Sequence, residues 1–272
     1  MVKAPPDLLV DGHVHLYGCF QPADLLDAAA ANFAAHARRA GIEAWRGVLL
    51  LTESRKDAVY EELARSGTAK GKPLGAWTVQ ATEEAESLSL IHRDGRELIV
   101  LSGFQVATRE DLEVLAIGTT TRVPDGQEFF ETYRQVRASG AFPVIPWGFG
   151  KWTLQRGQTV RRLIESSLPT DVAFGDNGGR ISGLPMPSLL KAAAARGFAI
   201  LPGTDPLPFA DQAARVGTSG FVLRGVEPGV QPAAAIRQAL AHAGSAAGYV
   251  ALTGALSFAV TQARMQIRKR LG

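Results

Sequence analysis

Cysteine is nearly absent from this chain: Cys19 is the only one in 272 residues. An internal disulfide, a cysteine-based zinc site and a Cys-x-x-Cys redox pair are therefore excluded. A reducing, cytoplasmic setting is the expectation that follows. An excess of one charge is also missing. Lysine and arginine number 29 and acidic residues 26, a formal net charge of +3. That balance lacks the basic stripe a nucleic-acid binder presents, so no nucleic-acid partner is expected. Long apolar runs are scarce as well. Residues 1–6 lack the apolar core of a signal peptide. Residues 244–263 carry no charge and precede Arg264, Arg268, Lys269 and Arg270, the layout of a weak membrane span. Their Ala, Gly, Ser and Thr content, with Gly248 and Gly254 inside, fits a strand at 248–252 and a terminal helix better. The basic tail then faces the negative end of that helix dipole. No membrane partner is expected.

What is present is a long alternation of strand-like and helix-like segments. Residues 8–15 read as a strand. Residues 22–40 read as a helix with apolar positions Leu25, Leu26, Ala29, Phe33 and Ala37, closed by Gly41. A near-continuous apolar run, Val48-Leu49-Leu50-Leu51, suits a strand at 45–52 buried on both faces. A helix at 55–66 ends at Gly67. Residues 74–107 break the alternation with period-two patterns around Asp94-Gly95, a hairpin turn. Strands at 112–117, 142–146, 172–174, 199–201 and 220–223 follow, with helices at 126–139, 159–167, 188–196, 209–215 and 232–243. About seven βα units with buried-type strands predict one α/β domain over 1–272. The expected architecture is a distorted (β/α)7 TIM-like barrel with a hairpin insertion at 74–107.

Chemistry in such folds gathers at the C-terminal ends of strands. Asp11-Gly12-His13-Val14-His15 ends the first strand. Residues i and i+2 share a strand face, so both imidazoles project together, as one divalent metal requires. The alternative is a structural pair hydrogen-bonded to strand-end carbonyls. Asp205, in the turn-forming Gly203-Thr204-Asp205-Pro206, is a metal ligand or general base, or else the cap of the next helix. Glu53 is a further ligand or base, or the cap of the helix at 55–66. Gly175-Asp176-Asn177-Gly178-Gly179-Arg180 offers an anion-binding nest with Arg180 as clamp, or a tight turn. Trp147 and Trp152 flank a short loop with Lys151 and wall a pocket, or pack in the core.

These motifs resemble the PHP (polymerase and histidinol phosphatase) family of metal-dependent phosphoesterases and, more distantly, the amidohydrolase superfamily. Asp11-Gly12-His13-Val14-His15 is similar to the family's opening His-x-His. Leu51-Thr52-Glu53-Ser54 is similar in place to its Thr-Asp-His, and Leu101-Ser102-Gly103-Phe104-Gln105 to its Gly-x-Glu strand end. Leu112-Glu113-Val114-Leu115 falls where a strand with a ligating His is expected. Pro143-Val144-Ile145-Pro146-Trp147-Gly148 resembles Ala-His-Pro-Gly, and Gly203-Thr204-Asp205-Pro206-Leu207 resembles Gly-Ser-Asp-Ala-His. The chain also departs from the pattern. Glu53 replaces an Asp, Ser54 a His, Gln105 a bridging Glu, Trp147 a His and Leu207 a His.

The resemblance implies a seven-stranded barrel and hydrolysis of phosphate esters. The departures leave ligands for one ion instead of three: His13, His15 and Asp205, with Glu53 and Glu113 as substitutes. The expectation is a mononuclear hydrolase holding one zinc, manganese or iron ion. Asp205, Glu53 and Asp176 are its candidate catalytic carboxylates. Arg180, Lys151, Trp147, Asn177 and Thr204 are the candidate contacts to a small anionic substrate. The alternative is a barrel that has lost catalysis and serves as a binding or regulatory protein.

Overall fold

The apolar alternation in the first strand decides how the layers stack. A computed structural model describes residues 5–66, 74–244 and 246–271. In it β1 (Asp7–Val14) sends Leu9 to one side, against α1 (Pro22–Ala40). Leu8 and Val10 point the other way, into an apolar layer shared with a second sheet. Pro22 opens α1 with its φ already helical, and Gly41 closes it at φ 68, a left-handed value that suits glycine.

The first sheet has seven strands, and its first-found members are β1 and β2 (Trp45–Leu51), which run parallel. After α2 (Val59–Ser66) comes a meander of β3 (Trp77–Ala81), β4 (Ser87–His92) and β5 (Glu97–Leu101). The expected Asp94-Gly95 hairpin joins β4 to β5, with Gly95 at φ 90. Gly67, expected to end α2, lies outside the described residues. The five-stranded sheet holds β6 (Gly103–Ala107), β7 (Glu113–Ile117), β8 (Phe142–Pro146), β9 (Ala173–Asn177) and β10 (Ile200–Gly203). Its outer face is covered by α3 (Phe129–Ala138), α4 (Leu154–Ser166) and α5 (Ser188–Ala195). A short 3-10 helix (Ala210–Arg215) leads to β11 (Gly220–Leu223), α6 (Pro232–Ala241), β12 (Ala247–Tyr249) and α7 (Ala255–Leu271). The uncharged stretch before the basic tail is thus β12 and the start of α7. No helix among the described residues is long and apolar enough to cross a membrane.

The expected (β/α)7 TIM-like barrel does not form. The strand orders are β12-β11-β1-β2-β5-β4-β3 and β10-β9-β8-β7-β6, two mixed sheets with no single closed ladder. A barrel of that kind needs parallel strands throughout. Here β11 is antiparallel to β1, and β7 is antiparallel to both β6 and β8. The reason is connection length. Parallel pairing needs a crossover of a dozen residues or more. Residues 108–112 between β6 and β7, and 93–96 between β4 and β5, are too short for one. The largely apolar stretch at 97–107 divides at Ser102 into β5 and β6, which belong to different sheets. A Cβ on Gly103 would lie 2.4 Å from the Leu51 carbonyl oxygen and 2.7 Å from that of Ala116. Glycine at that corner lets the backbone pass between the sheets.

The sheets also touch at the end of β1, where the Asp205 amide donates to the His13 carbonyl at 2.8 Å. Between them lie Val48, Leu50, Ile99, Leu115, Val144 and Leu201, fully or almost fully buried. Each such side chain contributes about 1.5–3 kcal/mol. This layer fixes the strand ends that carry the polar residues described next.

Candidate metal centre

The end of β1 is irregular in a way that aims its side chains. Register with β2 shifts between Asp11 and Val14, so three residue steps of β1 match two of β2. Such bulges re-aim side chains next to functional sites. The neighbouring end of β10 comes very close. A Cβ on Gly203 would lie 2.4 Å from the His13 amide nitrogen, and one on Gly12 would lie 2.7 Å from the Pro202 oxygen. Two glycines therefore allow β1 and β10 to bring His13, His15 and Asp205 together. Asp205 itself adopts φ 47, a region that Asp tolerates better than most residues.

His13 Nε2 and His15 Nε2 are 3.1 Å apart, and Asp205 Oδ1 is 3.6 Å from each. Tetrahedral ligands at about 2.0–2.1 Å from one zinc-like ion are separated by about 3.3–3.4 Å. The triangle fits that spacing closely. Both histidines are 3% exposed. Burial, followed by the nearby His13, pushes the His15 pKa down to about 4, so its ring is neutral near pH 7. Neutral imidazole is the ligand form.

The hydrogen bonds around the triangle decide where protons sit. Asn177 Nδ2 donates to Asp205 Oδ2 at 2.8 Å, which turns Asn177 Oδ1 toward His13 Nδ1 at 3.3 Å. That oxygen only accepts, so His13 carries its proton on Nδ1 and its lone pair on Nε2. Gln105 Nε2 donates to Glu113 Oε1 at 3.2 Å, which leaves Gln105 Oε1 facing His13 Nε2 at 3.2 Å. His13 Nε2, Gln105 Oε1 and Asp205 Oδ1 are thus acceptors turned toward one place, with His15 Nε2 beside them. Such convergence is unfavourable without a positive charge at its centre. The Nδ1 of His15 is buried with no partner among the described residues. Tyr17 stacks on that ring at 5.2 Å and holds its plane.

The other sequence candidates are arranged around this centre. Glu113 accepts from Gln105 and from Lys151 Nζ, so Glu113 reaches the triangle only through Gln105, and Lys151 only through Glu113. Glu53 is 2% exposed and accepts from the Tyr60 amide at 2.6 Å, at the start of α2. Its other oxygen faces Arg122 at 3.6 Å. This is the capping arrangement, with one carboxylate oxygen on the Tyr60 amide and the other facing Arg122, and Glu53 is not part of the His13–His15–Asp205 group. Asp176 is buried and takes both Arg180 Nε and Nη2 at 3.1 Å. That guanidinium is engaged by a bidentate ion pair. Thr204 is fully buried, and its amide and hydroxyl both donate to Asp11. Trp147, Asn177 and Asp205 line a cavity of about 130 Å³ with residues of α7.

Three residues matter more than their sequence context suggested. Asp11 is fully buried and accepts from the Thr204 and Gly217 amides, both at 2.8 Å, and from the Thr204 hydroxyl. Burial pushes its pKa up to about 6 against the pull of those donors. It clamps β1 to the end of β10 and to the turn before β11. Gln105 reaches the triangle although its neutral side chain looked like a loss of function. Arg215 lines the same cavity as Asp205. No local motif marks Arg215, since two of its partners, Gly178 after β9 and Thr253 before α7, are distant in the chain.

The chain matches no protein-family model and no curated protein. Its fold is similar to that of PsfC from Pseudomonas syringae PB-5123. The likeness has a TM-score of 0.51 at 14% identity and covers 98% of this chain and 100% of that one. Similarity at that identity bears on the fold alone.

Proposed function

We propose that the protein is a metal-dependent hydrolase of a small anionic substrate, using one divalent ion of zinc, manganese or iron. The observation that carries this reading is the triangle of His13 Nε2, His15 Nε2 and Asp205 Oδ1 with edges of 3.1, 3.6 and 3.6 Å. Gln105 Oε1 adds a neutral oxygen, which suits one ion and does not supply the charge that bridging two would need. Such an ion supplies Lewis acidity, bringing the pKa of coordinated water near neutral.

The chain's own residues prepare that chemistry. Asn177 fixes the tautomer of His13 and holds Asp205 Oδ2 at the same time. Outer contacts of this type change metal affinity by about 10–100-fold when removed. Glu113, held by Lys151, orients Gln105. Phosphate esters are the first substrate class to screen, as the resemblance of the opening motif implies. With its single, exposed Cys19 the protein suits a reducing cytoplasm.

The test is hydrolysis of a panel of phosphate esters by protein reconstituted with each ion, beside Asp205→Asn. Ion-dependent turnover that Asp205→Asn reduces at least a hundredfold supports the reading. Ion uptake with no turnover on esters or amides favours the non-catalytic binding protein, a reading to which the engagement of Glu53 and Asp176 by other groups lends weight.

A further inference from the structure

Arg215 is a half-buried cation without a direct counter-ion. Its Nη1 donates to Gln212 Oε1 at 3.3 Å, and its Nη2 to the Gly178 carbonyl at 3.1 Å and to Thr253 Oγ1 at 3.4 Å. All three acceptors are neutral. Among the described residues no carboxylate is in ion-pair contact with it. A guanidinium has five N–H groups, so two remain. Asp205 and Asp11 act on its charge from beyond contact, and half-burying an arginine with no carboxylate in contact is unfavourable. Arg180, one loop away, shows the ordinary solution, a bidentate pair with Asp176.

The space beside Arg215 has a shape as well as a charge. The cavity shared with Asp205 measures about 130 Å³. Its apolar lining is Trp147, Phe149, Leu207 and Phe258 of α7. Phe149 is 62% exposed yet meets Phe258 edge to face at 5.1 Å. An aromatic pair lining a cavity offers a surface for a further ring to pack on. The α7 wall is anchored: both Arg264 Nη atoms bond Asp211, at 2.8 and 3.1 Å, and Arg268 Nη1 bonds the Pro208 carbonyl at 2.8 Å.

We propose that Arg215 and the Trp147–Phe149–Phe258 wall form a subsite for a small anion carrying one ring-sized apolar group. The anionic end meets the Arg215 guanidinium in the cavity, and the ring packs against the Phe149–Phe258 pair. This names the substrate class of the proposed hydrolase and rests on that reading for the claim that the bound anion is a substrate.

The test measures binding to metal-free protein, so it does not depend on turnover. Inorganic phosphate and phenyl phosphate are titrated calorimetrically into the wild type, Arg215→Gln, Arg215→Lys and Phe258→Ala, with thermal unfolding of each variant. Wild type is expected to bind phenyl phosphate at least tenfold more tightly than inorganic phosphate. Arg215→Gln weakens both at least tenfold. Phe258→Ala abolishes the preference for the ring and keeps inorganic phosphate binding. If Arg215→Gln does not fold, Arg215→Lys keeps the charge without the fork and is expected to weaken phenyl phosphate severalfold. Equal binding by folded Arg215 variants and wild type overturns the proposal, as does a wild type with no preference for the ring. Metal-free binding that depends on Arg215, in a protein that takes up no ion, upholds the subsite while the hydrolase reading fails. One ion held through His15, with anion binding indifferent to Arg215, does the reverse.

Discussion

Replacing Asp11 by alanine tests whether the metal centre depends on a clamp that touches it only through the His13 backbone amide, at 3.3 Å. Asp11 is fully buried and accepts from two backbone amides at 2.8 Å and from the Thr204 hydroxyl. Asp11→Ala also frees the His13 amide, bonded at 3.3 Å, while the Thr204 hydroxyl can turn to the Arg215 carbonyl at 3.3 Å, so three buried amides lose their acceptor, at about 1–3 kcal/mol each and about 6 kcal/mol together. An opposing effect must be subtracted. Burial has raised the Asp11 pKa from 3.8 to about 6, which corresponds to about 3 kcal/mol against the ionised carboxylate, and alanine relieves it. The orphaned donors win, and a net loss of about 3 kcal/mol is expected. In a chain of this size that lowers Tm by about 6–12 °C. Because the clamp joins β1 to β10, metal affinity should fall too, by about 10–100-fold. Thr204→Val removes one donor and is expected to lose about 1 kcal/mol. Equilibrium denaturation of both variants, with metal titration of Asp11→Ala, is the assay. An Asp11→Ala protein within about 1 kcal/mol of wild type, with unchanged metal affinity, would refute the reasoning.

Three other perturbations bear on the same architecture. Gly203→Ala places a Cβ 2.4 Å from the His13 amide; a backbone neighbour cannot swing aside, so a loss of about 3 kcal/mol or more and weakened metal uptake are expected in melts and titrations. Arg180→Ala leaves Asp176, 2% exposed in its side chain, as a buried unpaired charge; calorimetry should show about 3–5 kcal/mol of lost stability, whereas a catalytic defect at full stability would count against a structural pair. Burial raises the Glu53 pKa, opposed by the Tyr60 amide and Arg122. The folded state therefore holds that proton to higher pH than the unfolded chain. Its contribution is full below the unfolded value of 4.5 and is lost as pH rises through the folded pKa. Glu53→Gln should flatten that decline in denaturant unfolding run from about pH 4 to pH 8.

Local features were legible in the sequence wherever they depend on near neighbours. The apolar positions of α1 and its Gly41 stop are set by helix periodicity, and the Asp94-Gly95 hairpin by turn chemistry. Strand direction is not written in periodicity. The run at 112–117 reads the same whether its neighbours are parallel or antiparallel, so the sheet order of β6, β7 and β8 was lost with it. At the centre, His13 and His15 could be placed on one strand face from their spacing alone, and Asp205 from its strand-end turn. Asp11 and Gln105 could not be weighed, because their roles lie with Thr204, Gly217, His13 and Glu113, distant in the chain. Glu53 and Arg180 looked available for chemistry because sequence does not show that Tyr60 and Asp176 already engage them.

The central claim is that His13, His15 and Asp205 hold one ion. Elemental analysis of untagged protein purified without chelator, alongside His15→Ala, tests it most directly. The account predicts about one zinc, manganese or iron per chain in the wild type and its loss from a folded His15→Ala protein. A wild type that takes up none of these ions after reconstitution would contradict it.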